Sequence, residues 1–532
     1  MPTSAPPSGE ARPRSVKADV LAGFLVFLIA LPLSLGIAMA SGFPPISGII
    51  TAVVGGMVVS FLGSARLTIK GPAAGLIVIA YGAVQELGGG DLTLGYRRAL
   101  AVGFVAAVIQ VVLALMKAGA LGDMFPSSVV HGMLAAIGVI IVGKQVHVVM
   151  GVTPESGETL ELLAQVPSSL MHAEPEIFLI GGISLLILLG MPMLPWERVK
   201  KFPAPLVVLL VSIPLALVFD LSHAHHYTLW GIDHEIGPRF LVSLPARITD
   251  AVVFPDFSVI TSGASLKYVV MFALVGSIES LLSVKAVDSL DPAHHESNLN
   301  KDLFATGIGN MLAALLGGLP MISEIVRSKA NIDSGARSHW ANFSHGAFLL
   351  LFVAGLPFVL TKIPLAALGA MLVYTGLRLG SPTEFVKTYR IGSEQLLVFV
   401  TTFVVTLATD LLLGVGAGIV IKILIHIKNG ASPRSLFKPT LDIETDTEGM
   451  RIRVRGSAIF TNYLGLRKQL DVAREKGLPV VLDFEHADLV DHTVMEKIEH
   501  LVNEGRRIEI AKSATERKKL SAHPLSAHLK SR

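Results

Sequence analysis

The chain has 532 residues, 52% of them hydrophobic and only 16% charged, with a net charge of +3 and no cysteine. Its mean hydropathy of +0.62 and a charge content well below the roughly 25% of soluble domains point to a polytopic membrane protein. The missing thiols exclude disulfides, thiol catalysis and cysteine metal sites, and a small net charge without a basic stripe excludes a nucleic-acid partner.

Charge is sparse up to residue 430 and ordinary for a soluble domain after it. Met1 to Lys17 is polar and rich in Pro and Ser, lacks a cleavable signal pattern, and reads as a disordered cytoplasmic N-terminus over 1–17. Apolar runs able to span or partly span a bilayer follow at about residues 18–40, 46–63, 97–117, 125–150, 176–194, 203–220, 266–288, 303–317, 338–360, 365–379, 393–410 and 411–428. Two further apolar segments are interrupted: Leu67-Thr-Ile-Lys-Gly-Pro-Ala-Ala-Gly75 and Gly318-Leu-Pro-Met-Ile-Ser-Glu-Ile-Val-Arg327. Each reads as a short extended stretch that runs into a half-helix. Such a helix starts inside the membrane and turns its unpaired N–H groups and positive dipole end toward the midplane. Counting both gives about fourteen segments in a membrane domain over 18–430.

The first broken segment lies about 53 residues after the first span begins, and the second about 57 residues after the run at Leu266 begins. This spacing implies two repeats of seven segments, and an odd number inverts the second copy. Arg12, Arg14 and Lys17, then Arg198, Lys200 and Lys201, then Arg378, Lys387 and Arg390, then Lys428, Arg434 and Lys438 fall on one side of this arrangement. The connection 221–265 falls on the other side with Arg239 and Arg247. Both termini are therefore expected in the cytoplasm. In the tail, Arg451 to Arg455 alternates as a half-buried strand does, Leu478 to Phe484 and Arg507 to Ala511 read as strands, and Leu464 to Lys476 and Thr493 to Val502 have helical spacing. These make a small α/β domain.

A charge within a membrane segment is costly and marks function by default. Arg327 sits just inside the second half-helix, where it and the N–H groups of Ala73, Ala74, Ile325 and Val326 are candidates to hold an anion. The bland alternative has Arg327 only pairing with Glu324 or Glu279. Glu279 lies mid-helix in Val275-Gly-Ser-Ile-Glu-Ser-Leu-Leu-Ser283. A carboxylate there takes up a proton, binds Na⁺ with help from Ser280 and Ser283, or forms a static salt bridge with Lys70 or Arg327. Lys70 either attracts anions or snorkels to the cytoplasmic face. His223, His225 and His226 are read as a solvated loop rather than a metal site, since no second ligand group accompanies them. No phosphate-binding loop and no nucleophile–base set is present, so no enzymatic activity or cofactor is expected.

The residues Ala30-Leu-Pro-Leu-Ser-Leu-Gly-Ile-Ala38, Gly42-Phe-Pro-Pro45, Ile69-Lys-Gly-Pro72, Glu279-Ser-Leu-Leu-Ser283, Val326-Arg-Ser-Lys-Ala-Asn331 and Ser334-Gly-Ala-Arg337 together resemble the SulP family of inorganic-anion transporters, bacterial relatives of prestin and pendrin. The tail over 440–525 resembles a STAS domain through Gly456-Ser-Ala-Ile-Phe460, Val481-Leu-Asp-Phe484 and Leu489-Val-Asp-His-Thr-Val494. The resemblance implies fourteen segments in two inverted repeats, split into core and gate domains that move in an elevator-like cycle. It places Pro32, Leu33, Ser34, Ala73, Ala74, Ile325, Val326 and Arg327 around the anion. Glu279 becomes the coupling carboxylate, with Ser283, Ser323 and Glu324 beside it and Na⁺ near Glu279 as one coupling ion.

Several positions depart from the family pattern. Leu33 stands where many members have Glu or Gln, which is similar to the cyanobacterial bicarbonate transporters. Those have Asp where Glu279 stands, so proton coupling is open beside Na⁺. Glu324 replaces a small residue, and Val494 replaces the Gly of a phosphorylatable loop, which argues against a phosphorylation switch at Thr493. The expectation is cation-coupled uptake of bicarbonate across a bacterial inner membrane by a homodimer. A carbonic anhydrase is the partner implied by the Val-Asp-His-Thr tail. Sulfate is the second substrate. An uncoupled exchanger or channel, and a sensor that signals through the tail, are the other readings.

Overall fold

The computed structural model describes residues 16–511 apart from 120–124, 154–158, 196–201, 230–231, 245–247, 292, 294, 296, 447–448 and 504–506. The N-terminal segment before Val16, the basic residues Arg12, Arg14, Arg198, Lys200, Lys201 and Arg247, and the last part of 440–525 lie outside the described residues.

Helices dominate. In chain order they are α1 (Val16–Ala40), α2 (Pro45–Leu62, with a π-helical turn at Gly55–Val59), α3 (Ile77–Gly88), α4 (Leu92–Leu115), α5 (Ser127–Val149), α6 (Thr159–Met171), α7 (Pro175–Gly190) and α8 (Ala204–Val218). Then come α9 (Gly263–Leu290), α10 (Leu299–Leu316), α11 (Ile325–Asp333), α12 (Trp340–Gly355), α13 (Leu365–Leu379), α14 (Pro382–Ile391), α15 (Ser393–Ala408) and α16 (Leu411–Lys428). Seven of the described helices are long and apolar enough to cross a bilayer on their own. Two strands stand before half-helices: β1 (Ile69–Pro72) leads through a 3₁₀ turn at Ala74–Leu76 into α3, and β4 (Met321–Glu324) leads into α11. Between them, β2 (His225–Leu229) and β3 (Ile232–Ile236) form a hairpin that carries His225 and His226.

The same order runs twice. A long helix, a second helix or its equivalent, a strand and half-helix, and two further spans precede an amphipathic helix (α6, then α14) and two closing spans. The matching strands β1 and β4 pair antiparallel, with Ile69 opposite Glu324, Lys70 opposite Ser323, Gly71 opposite Ile322 and Pro72 opposite Met321. Equivalent strands of repeats with an odd number of segments run in opposite directions, so this pairing is the inversion seen locally.

By contacts the chain divides into two compact units, residues 1–119 with 140–376, and residues 120–139 with 377–532. In the first, a continuous apolar core joins Phe27, Leu31 and Leu35 of α1 to Ile46 and Ile49 of α2, Leu349 and Val353 of α12, and Leu368 and Met371 of α13. Small residues let the helices close up: the Cβ position of Gly48 on α2 points into the Ser34 carbonyl of α1, and Gly56 abuts Gly346 of α12. The long helices α4, α9 and α10 begin at Asp91, Ser262 and Asn298, whose side chains accept from N–H groups of the first turn.

In the second unit α15 packs along α16, and a five-stranded sheet follows. Its order is β5 (Thr440–Thr445), β6 (Met450–Ala458), β7 (Val480–Asp483), β9 (Ile508–Ile510), with β8 (Ala487–Val490) on the second half of β6. Helices α17 (Tyr463–Glu475) and α18 (His492–Asn503) cover it, and Ile452, Val454, Leu466, Leu470, Leu482 and Ile498 fill the layer between. The three strands and two helices read from the tail are all present. The two additional strands, β5 and β8, are short on apolar alternation: β5 is mostly exposed and β8 has only four residues.

Candidate functional site

An extended backbone inside a membrane must have every polar group answered from within the protein. Around β1 and β4 this is done by side chains. Asn310 of α10 grips Met321 with both ends of its amide, accepting from the N–H at 2.6 Å and donating to the carbonyl at 3.2 Å, and it also donates to Gln110 of α4 at 2.9 Å. Thr51 donates to the Leu319 carbonyl at 2.9 Å, the Ser328 hydroxyl accepts from the Ile69 N–H at 2.8 Å, and Asn331 donates to the Leu67 carbonyl at 3.0 Å. The two strand segments are thus clamped from three helices, α2, α10 and α11, which holds the half-helix starts in register.

Lys70 is 2% exposed and does not snorkel. Its ammonium forms an ion pair with Asp302 and donates to Ser323 at 2.6 Å and Thr306 at 3.3 Å. The lysine therefore completes the support of β4 as a neutral pair. Asp302 and Thr306 are residues that the sequence reading did not single out: Asp302 stands one residue before the apolar run from 303, just outside the reach of the rule that finds intramembrane charges.

Neither half-helix start has a side-chain cap bond of its own. The start of the first is approached by acids from the second repeat: the Glu279 carboxylate lies against Gly75, and Glu324 ends β4 opposite Ile69 of β1. A Cβ at Gly75 would collide with the Glu279 carboxylate, so a glycine is required at this approach. One oxygen of each acid, Oε2 of Glu279 and Oε1 of Glu324, is shielded from water and has no hydrogen-bond partner. Ser280, one residue on from Glu279, accepts from the Ser323 N–H at 3.3 Å, and Ser283 is buried one turn further along α9.

Arg327 is the largest fully buried side chain of the chain's described part, at 1% exposure. Its arm lies over Gly71, where a Cβ would strike Nη1, and Nη1 donates to the Ser34 hydroxyl of α1 at 3.3 Å. Nε and Nη2 have no partner. Ion pairs of Arg327 with Glu279 or Glu324 are absent among the described residues. Ile325 and Val326 are 41% and 47% exposed, so the start of α11 is open on one side.

The structure thus gathers Ser34, Ala73, Ala74, Glu279, Ser323, Glu324 and Arg327 around the paired strands. Pro32 is buried inside α1, and Leu33 turns away from Ser34 into the apolar core. One further residue is His345 of α12, which is fully buried with both ring nitrogens unpartnered. It is the only ionisable group in its helix, a signal present in the sequence and passed over. The His223, His225 and His226 cluster stays away from this site: His223 bonds Asp220 at 2.8 Å, and His225 bonds the His223 carbonyl at 2.9 Å.

Together these groups offer Arg327 as a positive partner for an anion, beside the carboxyl groups of Glu279 and Glu324. Among Glu279, Glu324, Asp302, Arg327 and Lys70, acids outnumber bases by one.

The model of the sulfate permease family matches residues 16–402. The chain is 26% identical over 500 residues to YvdB of Bacillus subtilis (strain 168), which carries the name of a sulfate transporter, covering 92% of this chain and 89% of that protein. Its fold is similar to the transmembrane domain of a cyanobacterium bicarbonate transporter, BicA, with a TM-score of 0.62 at 25% identity, covering 76% of this chain and 97% of that one. It is also similar in fold to SLC26A9, with a TM-score of 0.68 at 15% identity, covering 93% and 84%.

Proposed function

Because this chain belongs to the sulfate permease family of anion transporters, we propose that it is a secondary transporter that takes up bicarbonate together with a cation, H⁺ or Na⁺, with sulfate as the second substrate. The observation that carries this reading is the meeting of two half-helix starts on paired strands, with one buried arginine and two half-buried carboxyl groups beside them. Matched broken helices at the midplane are the usual substrate site of inverted-repeat transporters. The excess of one acid makes cation symport the electrostatically consistent mode, because a proton or Na⁺ at Glu279 and Glu324 brings the site to neutrality before the anion binds. Ser34 and Arg327 hold the anion, with the exposed backbone at Ile325 and Val326 beside it and the carbons of Ala73 and Ala74 as the opposite wall. Ser323 and Ser283 supply oxygens near the cation. Bicarbonate is placed first because the chain is similar to a structure named for bicarbonate.

The rest of the reading follows the same line. The core strands and half-helices carry the anion past the gate helices in an elevator-like cycle. The C-terminal α/β domain acts as a STAS domain and serves assembly as a homodimer. The protein lies in the bacterial inner membrane with both termini in the cytoplasm, where a carbonic anhydrase is a fitting partner. Labelled bicarbonate uptake into proteoliposomes tests the transport reading, with Na⁺ and proton gradients imposed separately, wild type beside Glu279→Gln. Saturable uptake driven by one cation is expected, falling at least about tenfold in the variant. Cation-independent flux that Glu279→Gln leaves intact would instead make the protein an uncoupled exchanger or channel. Sulfate flux without bicarbonate flux would move the substrate.

A further inference from the structure

Lys144 is a cation inside a membrane helix that the site described above does not use. It stands on α5, which has no Asp or Glu and is apolar enough to cross a bilayer. The buried lysines Lys70 and Lys422 each have a carboxylate partner, Asp302 and Asp491. Lys144 has none within ion-pair distance among the described residues. Its ammonium lies instead over the ring of Tyr81 on α3, 3.5 Å from the centroid. The neighbouring helices offer no acid to it. α13, whose Gly369 packs on Gln145 and Val148 of α5, contains none. Glu161 of α6 is exposed. Glu86, the one acid of α3, is taken by Lys267 at 2.9 Å and Tyr268 at 2.7 Å.

The contact is deep rather than at a rim. Tyr81 lies seven residues after Ala74, where the first half-helix starts, and seven before Gly88, where α3 ends. That is about 10 Å either way. Lys144 stands five residues before the end of α5 at Val149 and reaches sideways to α3, so it does not snorkel. A Cβ on Gly42, in the turn that follows α1, would come within 3.5 Å of both Tyr81 and Val84. α3 therefore runs from the half-helix start towards the end of α1, on the side of the membrane opposite to Val16.

An aromatic face recovers only part of the cost of a charge in hydrocarbon, and a cation kept there without a counter-ion marks an ion path. The counter-ion that an anion transporter supplies is its cargo. We infer that Lys144 is a docking residue for the transported oxyanion, on the path between the outer face and the two half-helix starts, and that the Tyr81 ring holds its ammonium while no anion is there. Three rotatable N–H donors on a flexible stem let the ammonium leave the ring and meet an oxygen of the anion. This inference rests on the transporter reading with both termini in the cytoplasm, and deepens it by naming a residue that the anion meets before it reaches Arg327.

The chain has no cysteine, so Lys144→Cys places a single thiol at this point. Uptake of labelled bicarbonate into proteoliposomes at low concentration, with labelled sulfate run alongside, is measured for wild type, Lys144→Met, Lys144→Arg and Lys144→Cys. The last is assayed before and after reaction with aminoethyl or sulfonatoethyl methanethiosulfonate. Losing one charged contact is expected to lower uptake at least about tenfold in Lys144→Met and in unreacted Lys144→Cys, with a smaller loss at saturating anion. Lys144→Arg and the aminoethyl adduct recover most of it, the sulfonatoethyl adduct does not, and the transported anion slows reaction of the thiol. Thermal unfolding in detergent separates this from packing. A lysine that only packs on Tyr81 would change the stability of Lys144→Met and leave uptake by the folded protein as in wild type, which would overturn the inference. Equal recovery by the two adducts would overturn it too, since bulk rather than charge would then restore transport. Should Lys144→Met fail to fold, the Lys144→Cys sample before and after reaction decides alone. A wild type with no flux of either anion sinks the transporter reading and this inference with it, whereas wild-type flux that Lys144→Met leaves unaltered sinks only the docking residue.

Discussion

At the scale of single residues, the site is a set of buried charges whose roles are set by what stands next to them. Lys70 and Arg327 are both cations beside broken helices, and nothing local in the sequence separates them. The structure does: Lys70 is neutralised by Asp302, whereas Arg327 keeps a free edge. Lys70 is accordingly a structural cation. Lys70→Met leaves Asp302 buried and unpaired and is expected to destabilise the protein by about 3–5 kcal/mol, while Lys70→Met with Asp302→Leu recovers most of this. Thermal unfolding in detergent of the two variants checks it, and a double variant as unstable as the single would show that the ion pair is not the reason for the loss. Glu279 and Glu324 were visible as intramembrane acids. That both would converge on the first half-helix was not visible, because Glu279 lies about 200 residues from Gly75 along the chain.

At the scale of elements, helix spacing and small residues decide how closely segments approach. Gly48 places α2 against the Ser34 carbonyl with no room for a methyl group. Gly48→Ala must push α1 and α2 apart at the residue that receives Arg327. A loss of about 1–3 kcal/mol is expected, together with weaker anion stabilisation. Anion affinity equal to wild type in a folded Gly48→Ala would mean that Ser34 does not help to position the arginine. In the second unit, α16 is tied to the α/β domain by charge. Lys422 and His426, one turn apart and fully buried, meet Asp491 at 3.0 and 3.5 Å, and Lys422 also reaches Gln395 of α15 at 2.9 Å. Burial alone would raise the Asp491 carboxyl, but Lys422 and His426 overcome it and hold the group far below the ordinary carboxylate range. The folded value lies below the unfolded one of roughly 3.9. Its contribution is therefore fully present above about pH 4 and is lost only as the pH falls through the depressed folded value. The stability gap between wild type and Asp491→Asn is expected to be about 3–5 kcal/mol and flat from pH 8 to pH 5. A gap that closes within that window would place the transition on another group. Thr493 next to it is fully buried.

At the scale of the whole molecule, the repeat supplies both halves of the proposed site from opposite directions. The proposed assembly through the C-terminal domain predicts a dimer by native mass in mild detergent, and a clean monomer in several detergents would oppose it. The chain's apolar runs determined most of the fold on their own, because bilayer thickness dictates segment length and backbone hydrogen bonding dictates helices. The two broken segments, the inverted repeat and the strand–helix pattern of the tail were legible for the same reason, each being local in sequence. Arg327, Glu279 and Glu324 stood out because charge in hydrocarbon is rare. Only the tertiary structure decided the pairing of Lys70 with Asp302, the approach of Glu279 to Gly75, the packing of Leu33 on the apolar core, and the unpartnered His345. These are contacts between residues hundreds of positions apart. Sequence periodicity reports which face of a helix is apolar, but which polar atoms meet across a core depends on how the helices pack.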